Sequence, residues 1–129
     1  MNPPEKRRPV VLLLDDEAQL TAVMARMLEG EFEIETAGNV EEALMLLTTR
    51  KYDALIADHM MPGEKQGLDF LVEALRLQPE AKRILMTGYM NPELLARGVS
   101  FAQLSALLMK PATAQQIRKA LHDALGLSV

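Results

Sequence analysis

The sequence contains no cysteine in its 129 residues, which excludes a disulfide framework, a thiol nucleophile and a zinc site built from cysteines. No apolar run approaches the roughly 20 residues of a membrane-spanning helix, and the polar start of the chain lacks the apolar stretch of a signal peptide. The net charge of -4 provides no general attraction to nucleic acids or anionic membranes. We therefore expect a cytoplasmic protein without direct nucleic-acid or membrane binding.

The composition is that of one globular domain. Apolar residues make up 49% of the chain and charged residues 25%, as in ordinary folded proteins. The chain is long enough to bury a core without disulfides or metals. We expect a flexible N-terminal arm over residues 1–8 and a folded domain over residues 9–126. The protein is either a stand-alone domain or the N-terminal piece of a longer one.

Five short apolar segments predict β-strands. Four of them are continuously apolar, which is typical of strands covered on both faces in a parallel sheet: Val10–Leu14, Ala54–Ala57, Ile84–Met86 and Leu107–Met109. The fifth, Phe32–Thr36, alternates apolar and polar residues and is therefore expected at an edge of the sheet.

Helical periodicity separates the predicted strands. Leu20, Met24, Met27 and Leu28 fall on a single helix face. Similar patterns predict helices from Val40, Leu68 and Pro92 and over Ile117–Leu125, with Asn39, Asn91 and Thr113 as N-caps and with Gly98 interrupting the fourth helix. Five β-then-α units predict a parallel sheet with helices on both faces, whereas an all-α bundle fits the strand-like segments poorly.

Reactive side chains follow four of the predicted strands: Asp15 and Asp16 the first, Asp58 the third, Thr87 the fourth and Lys110 the fifth. In open α/β sheets, ligands bind outside the carboxyl ends of the strands. Clustered carboxylates repel one another unless a hard divalent cation such as Mg²⁺ binds among them. The set therefore predicts phosphoryl chemistry, in which Asp58 attacks phosphorus and Thr87 and Lys110 receive the phosphoryl oxygens.

The motifs Asp15-Asp16, Asp58 with Met61-Pro62, Thr87-Gly88 and Lys110-Pro111 together resemble the receiver domain of two-component response regulators, over residues 9–126. The resemblance implies a flavodoxin-like three-layer α/β sandwich, with five parallel strands in the order 2-1-3-4-5. It also implies a phosphoacceptor signalling domain that is an enzyme only in catalysing its own phosphorylation and dephosphorylation.

The same resemblance implies the partners of the domain. A histidine kinase, a phosphotransfer protein or a small phosphodonor would supply the phosphoryl group. An output protein or a fused output domain would receive the signal. A homodimer through the face formed by the fourth helix, fifth strand and fifth helix is a further expectation.

A metal site is also implied. Asp16 and Asp58 would bind Mg²⁺ with their side chains, and the backbone carbonyl of Met60 would complete the protein ligands. Asp15 would act mostly through metal-bound water.

The switch residues depart from the family pattern. Receivers usually carry tyrosine or phenylalanine three residues before the lysine, but Leu107 stands there and has no ring to swing. Thr87 is still expected to move toward the phosphoryl group, and the signal is then read from backbone or helix-four shifts or from Tyr89. The family also implies a cis peptide bond before Pro111, as X–Pro bonds allow.

Two further departures lie beside the reactive residues. The loop Pro62–Gly67 holds one residue more than the common pattern, and we expect it to bulge outward close to the kinase-docking face. Met60 and Tyr89, two residues after Asp58 and Thr87, are bulky and lack a group that orients water. We therefore expect slow self-dephosphorylation.

Other residues have plainer interpretations. We expect His59 to face solvent in a loop, His122 to lie on the polar side of the last helix, and the nine methionines to fill the core. Glu17 is interpreted as an acid in the first turn of the first helix rather than a metal ligand.

Three other functions are possible for a sheet of this kind. A receiver-fold interaction module regulated without phosphorylation is one of them, because Leu107 replaces the usual aromatic residue. An aspartyl-phosphate phosphatase needs a second aspartate two residues after the nucleophile, which neither acidic motif provides. A flavin mononucleotide protein needs a Ser/Thr/Gly-rich loop after the first strand, and none is present.

Overall fold

The computed structural model describes residues 7–89 and 91–127, so most of the predicted N-terminal arm lies outside the described residues. Strands and helices alternate along the chain, as the sequence predicts. The strands are β1 (Val10–Leu14), β2 (Glu33–Ala37), β3 (Ala54–Asp58), β4 (Lys82–Thr87) and β5 (Ala106–Met109). The helices are α1 (Ala18–Leu28), α2 (Val40–Leu47), α3 (Gly67–Leu77), α4 (Pro92–Arg97) and α5 (Ala114–Leu125). Within the described residues, no helix has the length and apolar character needed to span a membrane.

All five strands are parallel and lie in the order β2-β1-β3-β4-β5, which confirms the predicted flavodoxin-like topology. Leu14 pairs with Ala57, and Asp58 pairs with Met86, so the carboxyl ends of β1, β3 and β4 are level. This register places the residues that follow the three strands along one edge of the sheet.

The sheet is covered on both faces, which gives three layers. Helices α1 and α5 pack on one face, where Val11 and Leu13 of β1 join their core. Helices α2, α3 and α4 cover the other face, to which β1 contributes Leu12 and Leu14. Every residue of β1 and β3 is buried, and both strands are accordingly apolar throughout except for Asp58 at the end of β3.

Strand β4 begins two residues earlier than the apolar run predicts, because Arg83 is buried in it. The guanidinium donates hydrogen bonds to the carbonyl oxygens of Ala102 at 2.7 Å, Gln103 at 3.3 Å and Ala81. These bonds satisfy the buried cation with backbone oxygens. Arg83 thus ties β4 to the end of the segment that follows α4.

That segment is a π-helical turn, Gly98–Ala102, which continues α4. The predicted interruption at Gly98 is therefore confirmed. A Cβ atom at Gly98 would lie 2.6 Å from Cδ1 of Leu104, so a larger residue here would require the Leu104 side chain to move. Beyond the turn, Gln103 adopts a left-handed conformation with φ of 50° before β5 begins.

The predicted buried face of α1 is partly wrong. Met27 is 64% exposed and Leu20 is also exposed, whereas Thr21, Met24 and Leu28 point into the core. The helix is rotated so that an i, i+3, i+7 stripe packs on the sheet. The prediction that the methionines are core residues holds for Met24, Met61 and Met86, and is wrong for Met27, Met45, Met60 and Met109, which are exposed.

The prediction for His122 is also wrong, because this residue is buried in α5 rather than placed on its polar side. Its Nε2 lies 2.7 Å from Oε2 of Glu31, and its ring packs edge-on against Phe32. Arg118 contacts the same carboxylate. The loop between α1 and β2 therefore supplies a polar partner that makes an inward-facing histidine favourable.

Candidate functional site

The acidic residues that follow β1 and end β3 meet at the carboxyl edge of the sheet. Asp15 and Asp58 are buried and Asp16 is exposed. One side-chain oxygen from each of the three lies within 4.8 Å of the others. Because the strand ends are level, residues 43 positions apart in sequence become neighbours.

Lys110, directly after β5, inserts its ammonium among the carboxylates. Its Nζ lies 2.9 Å from Oδ2 of Asp58, 3.3 Å from Oδ2 of Asp15 and 3.4 Å from Oε1 of Glu17. The backbone N–H of Lys110 donates to the carbonyl oxygen of Thr87, which continues the ladder between β4 and β5. The peptide bond before Pro111 is cis, as expected.

The environment of Lys110 acts on its pKa in two directions. Partial burial alone would lower the pKa of the ammonium, because it disfavours the charged form. The hydrogen bond to Asp58 and the charges of Asp15 and Asp58 outweigh this effect and raise the pKa above its ordinary value. Lys110 is therefore a permanent cation in the site.

Close backbone packing holds Asp58. A Cβ atom at Gly67 would lie 2.1 Å from the carbonyl oxygen of Asp58, so the start of α3 approaches this strand end as only glycine allows. The N–H of Gly67 donates to the carbonyl oxygen of His59, and the N–H of His59 to that of Met86. The N–H of Met60 donates to Oδ1 of Asp58 at 3.2 Å.

Hydrogen bonds join the loop between β3 and α3 to the start of α3. The side chain of Gln66 accepts a hydrogen bond from the N–H of Met61 at 2.9 Å and forms a capping box with Asp69. Gly63 has φ of +94°, in the region that favours glycine, and Gly63, Glu64 and Lys65 are exposed. The extra residue is thus accommodated on the outside of the loop.

Thr87, the last residue of β4, is buried and directs its hydroxyl into the turn that follows. The hydroxyl donates to the carbonyl oxygen of Tyr89 at 3.1 Å and accepts from the N–H of Tyr89 at 3.2 Å. The ring of Tyr89 is 73% exposed. Among the described residues, the structure therefore groups Lys110 with the carboxylates but gives Thr87 a different hydrogen-bond partner.

The remaining site residues flank this centre. The side chain of Met60 is 68% exposed beside Asp58. Leu107 is half-buried in β5 and packs against the core that lies under α2, α3 and α4. An aliphatic side chain, packed inward, thus stands where the family resemblance leads one to expect an aromatic ring.

The prediction that His59 faces solvent is wrong. The side chain is half-buried rather than solvent-facing, and its Nδ1 is buried without a hydrogen-bond partner in residues 7–89 and 91–127. Burial lowers the pKa of the imidazole, and the charge of Arg97 lowers it further against the opposing charges of Asp69 and Asp58. The half-buried imidazole is therefore less readily protonated than an ordinary histidine.

Glu17 is the residue that sequence reasoning missed. It is the N-cap of α1 rather than a first-turn residue, and its side chain contacts Lys110. Its backbone N–H donates to Oδ1 of Asp15 at 2.9 Å. The contact could have been predicted, because Glu17 directly follows Asp15 and Asp16 at the end of β1, and Lys110 is predicted at the same edge of the sheet.

The donor set suits a hard divalent cation. Carboxylate oxygens gathered within 4.8 Å repel one another, and one ammonium does not balance the three aspartates and Glu17. Oxygen ligands of this kind are those that Mg²⁺ and Ca²⁺ prefer.

The chain is similar to known proteins of one family. A family model described as the response regulator receiver domain matches residues 11–122. The hydrogenase transcriptional regulatory protein HoxA of Cupriavidus necator is 32% identical over 105 residues, which are 81% of this chain and 22% of HoxA. The chain therefore spans less than a quarter of that relative.

Solved structures give the same fold. A receiver domain protein (CheY-like) from Methanospirillum hungatei JF-1 has a TM-score of 0.87 at 25% identity, covering 93% of this chain and 95% of that one. A response regulator protein from Burkholderia pseudomallei, solved with a phosphorylated aspartic acid, a calcium ion and citrate, has a TM-score of 0.81 at 27% identity, covering 90% and 69%.

Proposed function

Because the chain belongs to the response regulator receiver domain family, we propose that it is a phosphoacceptor of a two-component system in which Asp58 receives the phosphoryl group. The observation that carries this proposal is the ammonium of Lys110, 2.9 Å from Asp58 and 3.3 Å from Asp15. A buried carboxylate beside a fixed cation is suited to forming an acyl phosphate. The phosphorylated aspartic acid of the Burkholderia protein supports the same chemistry here.

In the proposed reaction, a carboxylate oxygen of Asp58 attacks the phosphorus of a phosphohistidine or of a small acyl phosphate. The new O–P bond forms as the bond between phosphorus and the donor breaks. A leaving imidazole takes up a proton from solvent, whereas an acyl phosphate donor leaves as a carboxylate. Lys110 donates hydrogen bonds to the transferring oxygens, because its raised pKa keeps it charged. The domain is thus a signalling module whose only catalysis is its own phosphorylation and dephosphorylation.

We propose a Mg²⁺ site in the same cluster. The side chains of Asp16 and Asp58 and the carbonyl oxygen of Met60 would hold the ion, and Asp15 would reach it through water. Bound Mg²⁺ would neutralise charge on the transferring oxygens. The fit rests on the three aspartate oxygens within 4.8 Å of one another, all of them hard ligands.

The response to phosphorylation is proposed to begin at Thr87. The phosphoryl group carries about -1.5 to -2 charges next to this residue, and the hydroxyl would leave Tyr89 to donate to a phosphoryl oxygen. The turn between β4 and α4 then loses the bond that ties Tyr89 to the strand end. Since Leu107 has no ring to rotate, the shift of Tyr89 and α4 would carry the signal.

The partners follow from the proposed reaction. A histidine kinase or phosphotransfer protein donates the phosphoryl group in the cytoplasm, near the exposed residues Gly63, Glu64 and Lys65 of the loop Pro62–Gly67. An output protein or fused output domain responds. A homodimer through the α4-β5-α5 face is supported by the exposed apolar side chains of Leu95, Val99 and Met109.

We propose that the domain comprises residues 9–126 and that it binds neither nucleic acid nor a membrane directly.

Incubation with acetyl phosphate and Mg²⁺, followed by mass spectrometry, tests the proposal. We expect wild type to gain one phosphoryl group, which chelation of Mg²⁺ prevents. Asp58→Asn should gain none, whereas Asp53→Asn, at the opposite end of β3, is a matched control that should react like wild type. Phosphorylation of the Asp58→Asn variant at another aspartate to the same extent would contradict the assignment.

A second candidate function is an interaction module regulated without phosphorylation, and Leu107 at the switch position is the observation that favours it. The same experiment separates the two functions. A wild-type protein that gains no mass, and whose amide spectrum does not respond to beryllofluoride with Mg²⁺, would be such a module.

A further inference from the structure

Lys110 contacts a third carboxylate that belongs to neither the proposed phosphoacceptor nor the proposed metal ligands. Oε1 of Glu17 lies 3.4 Å from Nζ of Lys110, and the Glu17 side chain is 61% exposed, against 3% and 4% for Asp15 and Asp58. The contact reaches Lys110 from the solvent side, across the mouth of the site. Nothing in the family resemblance of the sequence assigns a function to this residue.

The backbone of Glu17 fixes where its side chain starts. Its N–H donates to Oδ1 of Asp15, and its carbonyl oxygen accepts the N–H of Thr21 in the first turn of α1. Glu17 is therefore held between the acidic cluster and a helix start. Only its side chain is free to follow the ammonium of Lys110.

The three carboxylates differ in what the proposed reaction does to them. Asp58 becomes an acyl phosphate and loses a negative charge of its own, so its 2.9 Å contact with Lys110 cannot persist unchanged. Asp15 belongs to the group of oxygens that would face the cation. Glu17 lies outside that group. Its contact with Lys110 is therefore the one of the three that depends neither on phosphorylation of Asp58 nor on cation binding.

We propose that Glu17 is a positioning residue, which holds the Lys110 ammonium over the site while the contacts with Asp58 and Asp15 are exchanged for phosphoryl oxygens. This inference rests on the proposed function. An ammonium has three N–H donors, so one can remain on Glu17 while the others turn to the transferring group. Glu17 itself contacts no reacting atom and acts through Lys110.

A competing effect has the opposite sign. The charge of Glu17 repels an anionic phosphodonor, so its removal would speed phosphorylation if repulsion dominated. Because the side chain is mostly solvated, both effects are small, and we expect positioning to change rates by about two- to fivefold. Variants that separate charge from hydrogen bonding decide between them.

The test measures the rate of phosphorylation by acetyl phosphate at saturating Mg²⁺, with Mg²⁺ affinity determined separately by calorimetry. We expect Glu17→Ala to lower the maximal rate about two- to fivefold, with Mg²⁺ affinity nearly unchanged. Glu17→Gln keeps a carbonyl acceptor and should recover most of the rate. Glu29→Ala removes the same charge about 18 Å away along α1 and should match wild type.

A second readout follows the ammonium itself. In the beryllofluoride and Mg²⁺ state, the ¹⁵N-detected signal of the Lys110 ammonium should persist in wild type and Glu17→Gln, and should broaden by fast hydrogen exchange in Glu17→Ala. A change in overall fold alone would not affect this one lysine selectively.

Several outcomes would overturn the inference. Faster phosphorylation of both Glu17 variants would assign repulsion instead of positioning. Wild-type rates and ammonium signals in both variants would show that Glu17 does not act through Lys110. A loss that higher Mg²⁺ restores would make Glu17 part of the cation site. A wild-type protein that gains no phosphoryl group would refute the proposed function and this inference with it.

Discussion

The side-chain hydroxyl of Thr87 lies 3.1 Å from the carbonyl oxygen of Tyr89 and donates a hydrogen bond to it. The same hydroxyl accepts a bond from the N–H of Tyr89. Two bonds therefore tie the end of β4 to the turn that leads into α4. A group that draws the hydroxyl away would release this turn, without any aromatic ring at position 107.

Replacing Thr87 by valine removes the hydroxyl and keeps the side-chain shape. We expect Thr87→Val to bind beryllofluoride with Mg²⁺ but to lose most of the amide shift changes that wild type shows at Tyr89 and Leu94, because no hydroxyl is exchanged between partners. Two-dimensional ¹H–¹⁵N spectra measure this response. Thr87→Ser keeps the hydroxyl and should behave like wild type. A full response in the valine variant would contradict the proposed switch.

The lifetime of the phosphoryl group should depend on Met60. This side chain is exposed beside Asp58 and offers no group that orients water, so we expect wild type to lose its phosphoryl group slowly. Met60→Asn introduces an amide and should speed hydrolysis several-fold, because the amide can position an attacking water. Decay of the labelled protein after donor removal measures the rate. Met60→Leu is the matched control, and a wild-type half-life of seconds would disprove the prediction.

Arg83 should stabilise the fold through the carbonyl oxygens that it bridges. We expect Arg83→Met to lower the free energy of unfolding by about 2–4 kcal/mol, since buried carbonyls at Ala102 and Ala81 lose their donor. Urea denaturation followed by circular dichroism measures the change. Lys82→Met, one residue earlier on the exposed side of β4, should change stability by less than about 0.5 kcal/mol. Equal losses in the two variants would contradict the assignment.

Glu31 should make a small, pH-dependent contribution to stability. Hydrogen bonds from Arg118 and His122 hold the pKa of this carboxyl below its ordinary value of 4.5. A carboxyl with a lowered folded-state pKa stabilises the protein above its unfolded-state pKa, and the contribution is lost as pH falls through the folded-state value.

Melting curves from pH 6 to pH 3 test this contribution. We expect Glu31→Gln to melt below wild type at pH 6, and the gap between the two melting temperatures to close as pH falls below 4.5. Glu29→Gln, an exposed acid two residues away, should show no such convergence. A gap that stays constant with pH would exclude the carboxylate as its cause.

Much of the site could be predicted because it depends on the chain's local order. Continuous apolar runs mark buried parallel strands, and the residues that follow them must meet at one edge of the sheet. Asp15, Asp58 and Lys110 meet there for this reason. The direction of the Thr87 hydroxyl could not be predicted, because it depends on the conformation of the turn that follows.

The exposure of Met27 and the burial of His122 and Arg83 were also beyond the sequence pattern. Helical periodicity defines a stripe but not how far the helix turns about its axis, so Met27 faces solvent. His122 and Arg83 are polar residues whose burial depends on acceptors supplied by distant segments, Glu31 in one case and Ala102 in the other. Such partners come from tertiary packing and leave no periodic signal.

The sequence by itself determined the element order, the parallel sheet and the residues at its reactive edge, because hydrophobic runs and their boundaries act locally. Only the tertiary structure decided which partners these residues have. Lys110 contacts Glu17 as well as the buried aspartates, and Thr87 bonds to Tyr89 instead of to the acidic cluster. The physical reason is that side-chain hydrogen bonds depend on distances of a few tenths of an ångström, which packing of the whole chain sets.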